Sequence, residues 1–403
     1  MTRRPATEGG HPDRSFHVLY TAAGVATAAF IPFFALFLQG RGFPPDQIGL
    51  VLAGSSLAGV LANPLWGNAA DTRLGTLRTL RFSSVAAAGA ALALMVTGSA
   101  FWATLAVAAA LGAATGPGTG LADTLALVHL GPERSSQYGT IRLWASLGWA
   151  VAALVFGAVF QWGALAWMPV VYSTCLVLYL SATLPLSGPG PHPGTHASRI
   201  GTAVRAFRAS PRLLPFLGGL LLVSIATQGA WGFLPLRIAA KGGGALLVGV
   251  AASLPSFVEI PFMRASARLG TRVPLRTVYV WGAAVYVALM LTWTLVANPV
   301  GIALATTVRG AGFALTYVSM VLIAGRLVPK ELRTTGQVLM QTTAMGLGPI
   351  LGAAIGGVVY ARLGARALFA GAAVLTVVGA VVVWNALSSP AFARPQAREE
   401  EIV

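Results

Sequence analysis

Charged residues are scarce in this chain of 403 residues, because Asp, Glu, Lys and Arg together supply only 9% of it. A soluble domain carries about a quarter of its residues as charged ones, so the composition argues against a soluble protein. Cysteine occurs once, at Cys175, which excludes a disulfide framework and a cysteine metal site. His192 and His196 lie in a segment rich in proline and glycine, and we predict neither a metal site nor a cofactor.

Acidic residues are the scarcer charged class, with 11 against 27 basic residues and a formal net charge of +16. Such an excess can indicate a nucleic-acid partner. Here, however, the basic residues lie in short gaps between apolar runs and form no basic face interleaved with aromatic residues. We therefore expect no nucleic-acid partner. We also expect no cleavable signal peptide, because residues 1–14 are polar and the first apolar run lacks a small-residue cleavage site.

Long apolar runs are what the chain has in abundance, since 56% of its residues are hydrophobic. A membrane span needs about 20 mainly apolar residues. Twelve such runs occur, at residues 16–39, 47–69, 77–97, 101–124, 140–161, 165–185, 213–238, 245–267, 275–297, 299–325, 334–359 and 365–388. Each must be a helix, because an open strand in lipid leaves its backbone amides unpaired. The sequence therefore predicts an all-α membrane protein.

One segment interrupts this pattern. Residues 186–212 open with closely spaced prolines and glycines and close with a basic tail. This composition is typical of a linker. We predict an N-terminal bundle of six helices at 1–185, a cytoplasmic linker at 186–212 and a C-terminal bundle of six helices with a short tail at 213–403.

The basic residues are distributed unevenly between the two sets of loops. One set, which includes both termini and the linker, contains 20 of the 27 basic residues. The opposite set contains five, namely Arg41, Arg237, Lys241, Arg362 and Arg366. Cytoplasmic loops carry the excess of Lys and Arg, so we predict a multi-pass protein of the cell membrane with both termini in the cytoplasm.

The two halves also repeat short patterns at corresponding places. The letters R-L-G-T occur at 73–76 and at 268–271, each time after an even-numbered span. Pro64 and Pro261 occupy matching positions inside spans two and eight. These matches favour a duplicated unit of six helices, which is how transporters built from parallel repeats are organised.

On these residues the chain resembles the major facilitator superfamily over nearly its whole length. In that superfamily the loop between spans two and three latches the cytoplasmic ends of helices, so the resemblance implies gating roles here. The matching residues are Gly67, Asp71, Arg73, Gly75 and Arg78. The glycine stands four residues after the aspartate, whereas three is usual in the superfamily.

Within the superfamily, three stretches are similar to the 3-phenylpropionate permease and lactose permease-like group. They are Y-G-T-I-R-L-W-A-S-L-G-W at 138–149, V-E-I-P-F-M at 258–263 and G-F-P-P-D-Q-I-G at 42–49. The resemblance implies that Arg142 binds substrate hydroxyls and that Trp149 stacks on a sugar ring. Lactose permease also carries a His and a Glu on span ten for proton transfer. The only charge on span ten here is Arg309, so that relay does not transfer.

Among the charged residues that fall inside the predicted spans, four are candidates for function. Such residues usually mark a substrate or ion pathway. We expect Asp123 and Arg142 to face each other, either exchanging partners during transport or forming a static ion pair. Glu259 has no basic residue one turn away and is a candidate proton carrier, although a neutral, hydrogen-bonded role is open. Arg309 is its candidate partner, a binding group for an anion, or a structural residue.

A substrate cavity is predicted around Pro32 and Pro235, which break spans one and seven at equivalent positions. Aromatic and amide side chains gather near both prolines. They suit an aromatic or amphipathic solute, although each aromatic residue could instead face lipid in an interfacial belt. The candidate binding residues here are Phe33, Gln228 and Trp231, with Phe30, Phe34, Phe37 and Phe233 nearby. Gln337 and Gln341, one turn apart on span eleven, are further candidates.

These features predict a secondary active transporter that moves a small organic solute by alternating access, acting as a monomer in the lipid bilayer. We expect proton-coupled symport through Glu259, Asp123 or both. Proton-antiport efflux of drug-like or sugar-like compounds is the alternative. A non-transporting membrane sensor is a third possibility. A membrane enzyme is disfavoured, because Asp123 and His129 are six residues apart and do not share a helix face.

Overall fold

A computed structural model describes residues 12–191, 199–389 and 392. The first half contains α1 (Pro12–Phe30), α2 (Phe34–Gly40), α3 (Pro45–Ala69), α4 (Thr76–Ala93), α5 (Phe101–Thr115), α6 (Gly118–Arg134), α7 (Tyr138–Gln161) and α8 (Met168–Ala182). The second half contains α9 (Arg199–Ala209), α10 (Leu213–Ala240), α11 (Ala245–Arg272), α12 (Leu275–Leu295), α13 (Pro299–Ala305), α14 (Arg309–Leu327), α15 (Arg333–Gln341) and α16 (Gly348–Ala386). Five-residue and six-residue π-helical turns follow α3 and α15. His192, His196 and both termini lie outside the described residues.

Eleven ranges of the described residues are long and apolar enough to cross a membrane. The last, Lys330–Ala386, has 57 residues. A continuous helix of that length measures roughly 85 Å, nearly three times the hydrocarbon thickness of about 30 Å. The backbone at Gly364 has a φ of +84°, so α16 consists of two helices that meet there. The predicted fold of twelve membrane helices is therefore confirmed, with spans eleven and twelve inside this last range.

Two predicted boundaries need correction. Span four does not end at residue 124, because α6 continues to Arg134 and places Asp123 inside a helix. Span seven is not broken at Pro235, because α10 runs through it, whereas span one is interrupted between Phe30 and Phe34 around Pro32. A proline removes one hydrogen bond, yet α10, which packs along α16, continues as one helix through Pro235.

The membrane faces can be named from the connections. We call the face where α8 ends and α10 begins the linker face. The opposite face, where α2 and α7 end, is the distal face. The predicted linker contains a basic amphipathic helix, α9, which packs on α15 and α10 through the buried Ala206.

The duplicated unit is visible in one repeated contact at the distal face. Arg41 donates hydrogen bonds to the Leu94 carbonyl and the Thr97 hydroxyl at the end of span three. Arg237 donates to the carbonyl of Trp293 at the end of span nine, at 3.3 Å. The last carbonyls of a helix have no partner within that helix, so each half uses one arginine to satisfy them. The two copies of R-L-G-T, by contrast, have different backbone conformations. Gly75 has a φ of +77° and precedes α4, whereas residues 268–271 lie within the helix α11.

The two halves meet at the distal face through backbone contacts that only glycine permits. A Cβ atom on Gly49 of α3 would lie 2.5 Å from the carbonyl oxygen of Ala353 in α16. A Cβ atom on Gly249 of α11 would collide with the carbonyl oxygen of Ala153 in α7. Small residues at helix interfaces allow such close approach in membranes. The distal face is therefore closed by α3 against α16 and by α7 against α11.

The substitution Gly249→Val is expected to open the distal face, because the added side chain pushes α11 away from α7. Spin labels at Trp162→Cys and Leu363→Cys report this movement, since both native side chains are exposed, at 91% and 70%. Electron paramagnetic resonance should show a longer distance between the labels than in the parent. Gly371→Val is the matched control, because nothing lies within 4 Å of a Cβ atom there. An unchanged distance in Gly249→Val would contradict this account of the closure.

Candidate functional site

A cavity of about 400 Å³ lies between the two halves and extends from the middle of the bundle toward the linker face. Its charged lining residues are Arg142, Glu259 and Arg309, and its aromatic lining residues are Tyr20, Trp149, Tyr172, Tyr179 and Trp231. Most of the remaining lining is Gly, Ala, Ser and Thr. The cavity is thus large enough for a small organic solute and presents rings, hydroxyls and a few charges.

Glycine contacts between α1 and α7 set the N-terminal wall of this cavity. A Cβ atom on Gly24 would lie 2.8 Å from the backbone nitrogen of Trp149, and one on Gly148 would lie 2.5 Å from the carbonyl oxygen of Thr21. The two helices therefore touch along their backbones. This contact holds Tyr20 on α1 close to the part of α7 that carries Arg142.

Asp123 and Arg142 form an ion pair within a small network. The Asp123 carboxylate accepts a hydrogen bond from Tyr20 Oη at 2.7 Å and one from Arg142 Nη1 at 3.2 Å. Arg142 Nη1 also donates to Tyr138 Oη at 2.9 Å. The Asp123 side chain is 22% exposed and that of Arg142 is 52% exposed. Asp123 thus holds the guanidinium in place while the rest of that group faces the cavity.

Glu259 has a different environment from Asp123. Within the part of the chain that the structure describes, it makes no hydrogen bond and no ion pair within 4 Å, and it lines the cavity. Arg309 attracts its carboxylate most strongly, followed by Arg142 from across the cavity. Gly310 permits this approach, since a Cβ atom there would lie 2.8 Å from the backbone nitrogen of Glu259. Glu259, in the cavity wall, and Asp123, bonded to the wall residues Tyr20 and Arg142, therefore differ in whether they have partners.

Two tryptophans stand at the distal end of the cavity. Trp149 Nε1 donates a hydrogen bond to the carbonyl of Ala252 at 3.0 Å and so links α7 of one half to α11 of the other. The guanidinium carbon of Arg309 lies 4.0 Å from the centroid of the Trp231 ring. A cation over an indole face is attracted by the ring's quadrupole, so Arg309 fixes the position of Trp231.

Other predicted binding residues lie away from this cavity. Phe33 is fully buried and packs edge-on against Phe160, with ring centroids 5.0 Å apart. Gln337 donates to the Val321 carbonyl at 2.7 Å, and Gln341 donates to Tyr317 Oη at 3.2 Å, so both join span eleven to span ten. Gln228 lines a second, smaller cavity.

The phenylalanines expected around Pro32 and Pro235 form neither a cavity wall nor a lipid-facing belt. Phe34, Phe37 and Phe233 are at most 3% exposed and belong to the hydrophobic core. Phe30 stacks on Phe34 with ring centroids 4.4 Å apart. These aromatic rings therefore pack in the core. Hydropathy alone does not distinguish a ring packed in the core from one that lines a cavity.

The predicted gating loop lies at the linker face. Asp71 and Arg73 belong to a π-helical turn, Ala70–Leu74, and Gly75 packs against the carbonyl oxygen of Pro189. Asp71, Arg73 and Arg78 are exposed, and the structure records no hydrogen bond or ion pair for them among the residues it describes. Gly67 has open space beside it. Within the described ranges, the loop thus has no charged partner while the cavity extends toward its face.

Sequence reasoning missed Tyr20 and Tyr138, which hold the Asp123 and Arg142 network together. Tyr20 stands in an otherwise apolar stretch of span one, and such an isolated hydroxyl is a usable signal. His129 is a further residue whose partner sequence reasoning did not assign. Its side chain is only 21% exposed, and its Nε2 lies 2.9 Å from Asp13 Oδ1.

Known proteins share this architecture. The chain is 28% identical to a maltose permease from Geobacillus stearothermophilus over 373 residues, which covers 91% of this chain and 93% of that protein. It is 27% identical to a multidrug resistance protein MdtG from Serratia proteamaculans, with 94% of each chain covered. The crystal structure of the nucleoside transporter NupG superposes with a TM-score of 0.82 at 16% identity, covering 94% of this chain and 99% of that one.

The family comparison covers most of the chain, since the model of the MFS_1 like family matches residues 15–371. The proteins to which this chain is similar are transporters rather than enzymes. The chain therefore belongs to the MFS_1 like family and is a multi-pass membrane transporter of the major facilitator superfamily that moves small solutes.

Proposed function

We propose that this transporter carries a small hydroxylated solute together with a proton by alternating access. The observation that carries the proposal is the contrast between Glu259, which lines the cavity, and Asp123, which is bonded to two residues of the cavity wall. Asp123 is occupied by Tyr20 and Arg142, whereas Glu259 faces the cavity without a hydrogen-bond partner in the described structure. A carboxylate without a partner in a low-dielectric site gains most from taking up a proton. Glu259 is therefore the proton carrier, and Asp123 positions Arg142.

The cavity supports the choice of solute. Arg142 offers forked N–H donors, which suit hydroxyl and other oxygen acceptors. Trp149 presents a ring on which a sugar or base can stack, while its indole N–H is already used by Ala252. The maltose permease and the nucleoside transporter are named for solutes that combine hydroxyls with a ring. The substrate class proposed here is therefore a neutral sugar or nucleoside-like compound.

Alternating access follows from the way in which the halves are joined. We infer that bundles 1–185 and 213–403 rock about the central cavity, that residues 186–212 connect them in the cytoplasm, and that both termini are cytoplasmic. With the distal face closed, the structure then corresponds to the inward-facing state. Asp71, Arg73 and Arg78, on the segment that also contains Gly67 and Gly75, would find charged partners when the cytoplasmic side closes.

Efflux by proton antiport is the second candidate, favoured by the relationship to the multidrug resistance protein. A thermal-stability screen of the purified protein with maltose, uridine, 3-phenylpropionate and a lipophilic cation separates the two. Stabilisation by maltose or uridine supports uptake of a hydroxylated solute. Stabilisation by the lipophilic cation alone would favour the efflux function.

Glu259→Gln is expected to abolish solute accumulation driven by a pH gradient, because the amide cannot carry a proton. Solute exchange at equal pH should continue, since that reaction needs no net proton movement. Asp123→Asn is the matched control, which should weaken binding through Arg142 and yet still respond to the gradient. Proteoliposomes loaded with buffer of higher pH than the outside measure both reactions. Accumulation by Glu259→Gln at the parent level would refute the assignment of the proton site.

Arg142→Lys is expected to weaken solute binding at least about 10-fold, which corresponds to about 1.4 kcal/mol. Lysine keeps the charge but replaces the planar fork by a single ammonium group. Isothermal titration with the best compound of the screen measures the change. Arg362→Lys, at an exposed distal position, serves as the control and should bind as the parent does. Equal affinity of Arg142→Lys would remove Arg142 from the binding site.

A further inference from the structure

A second cavity of about 190 Å³ lies on the distal side of the first. Where the two cavities share a helix, the second is lined by residues nearer the distal end. On span one it is lined by Ile31 and Ala35, whereas the main cavity is lined by Tyr20 and Thr27. On α11 it is lined by Val248, whereas Glu259 lines the main cavity. The two cavities therefore follow one another between the halves along the membrane normal.

Trp231 and Ala252 line both cavities and so form the wall between them. Two contacts hold this wall. Arg309 lies over the face of the Trp231 ring, 4.0 Å from its centroid, and Trp149 donates its indole N–H to the Ala252 carbonyl. A cation over an indole face is attracted to the ring without any covalent link, so the ring is restrained but not immovable.

The second cavity contains no charged lining residue. Its polar side chains are Ser56 from the N-terminal half and Gln228 from the C-terminal half, and the remainder are Gly, Ala, Pro, Trp and aliphatic residues. The structure records no hydrogen bond for Ser56 or Gln228 among the residues it describes. A compartment with two uncommitted polar groups and no charge accepts an uncharged solute far more readily than an ion.

We propose that the second cavity is the closed distal half of the solute pathway and that Trp231, held by Arg309, is the movable partition between its two compartments. The proposal rests on the alternating access inferred above. Rotation of the Trp231 side chain away from Arg309 joins the compartments. The solute that crosses this point is uncharged and contacts Ser56 and Gln228 on its way.

Cysteine accessibility tests the partition without any transport measurement. The background variant is Cys175→Ala, which removes the chain's one thiol. Ser56→Cys places a thiol in the second cavity, and Ser256→Cys places one in the wall of the main cavity. The protein is reconstituted in nanodiscs and treated with a water-soluble maleimide. We expect fast labelling at Ser256→Cys and labelling at Ser56→Cys that is at least about 10-fold slower.

Removal of the partition should then expose the second cavity. Combined with Ser56→Cys, Trp231→Ala should raise the labelling rate at least about 10-fold. Arg309→Gln should raise it by a smaller factor, because the ring remains but loses its cation. Trp231→Phe retains a smaller ring and so disturbs folding less than Trp231→Ala. We expect it to give a labelling rate of Ser56→Cys between those of the parent and of Trp231→Ala. Trp281→Ala, at a position 44% exposed on α12, is the matched control and should leave the thiol protected.

The outcomes separate this proposal from the proposed function. Fast labelling of Ser56→Cys in the background variant, or continued protection after both Trp231→Ala and Trp231→Phe, would overturn the partition. The spin-label distance between Trp162→Cys and Leu363→Cys should stay at the parent value in Trp231→Ala. A longer distance would show that the maleimide entered through an opened distal face, and this result would also overturn the partition. Proton-driven accumulation that persists in Glu259→Gln would refute the proton site of the proposed function and leave the partition untouched.

Discussion

The whole structure depends on the cost of placing polar groups in hydrocarbon. Every backbone amide in a span must find its partner within the protein, so the chain is helical throughout its membrane ranges. Side-chain charges face the same cost, and the structure answers it by gathering Arg142, Glu259 and Arg309 around one cavity between the halves. At the distal helix ends, Arg41 and Arg237 donate hydrogen bonds to backbone carbonyls that have no partner within their own helix.

Backbone contact between helices is the second consequence of that setting. With no hydrophobic drive for helices to associate in lipid, close packing supplies the attraction. Gly49, Gly249, Gly24 and Gly148 allow helices to touch at their backbones, and each contact has a purpose beyond stability. The first two close the distal face between the halves. The other two place Tyr20 beside α7, where it can reach Asp123.

The charged residues of the two halves have different surroundings although the halves repeat one another. In the N-terminal half, Asp123 accepts hydrogen bonds from two donors and supports Arg142. In the C-terminal half, Arg309 lies over the Trp231 ring, and its neighbour Gly310 packs against the backbone of Glu259. This asymmetry links the proposed proton site to the proposed partition, which both lie beside Arg309.

The sequence by itself determined the number of spans, the fold class and the identity of the ionisable residues within the membrane. It could do so because hydropathy and the absence of charge act locally along the chain. It also indicated that Asp123 and Arg142 would meet, since they lie on consecutive spans joined by a short turn. It did not distinguish Phe33, which is packed in the core, from Trp231, which forms a cavity wall, because both are aromatic residues near a proline inside a predicted span.

Only the tertiary structure decided which carboxylate has partners. Tyr20 reaches Asp123 from another helix, across 103 positions of sequence, and no local pattern records that distance. The same holds for Gln337 and Gln341, whose amides are used by span ten rather than by the cavity. Membrane insertion is a property of each segment, whereas the partner of a polar side chain depends on how segments far apart in sequence pack against each other.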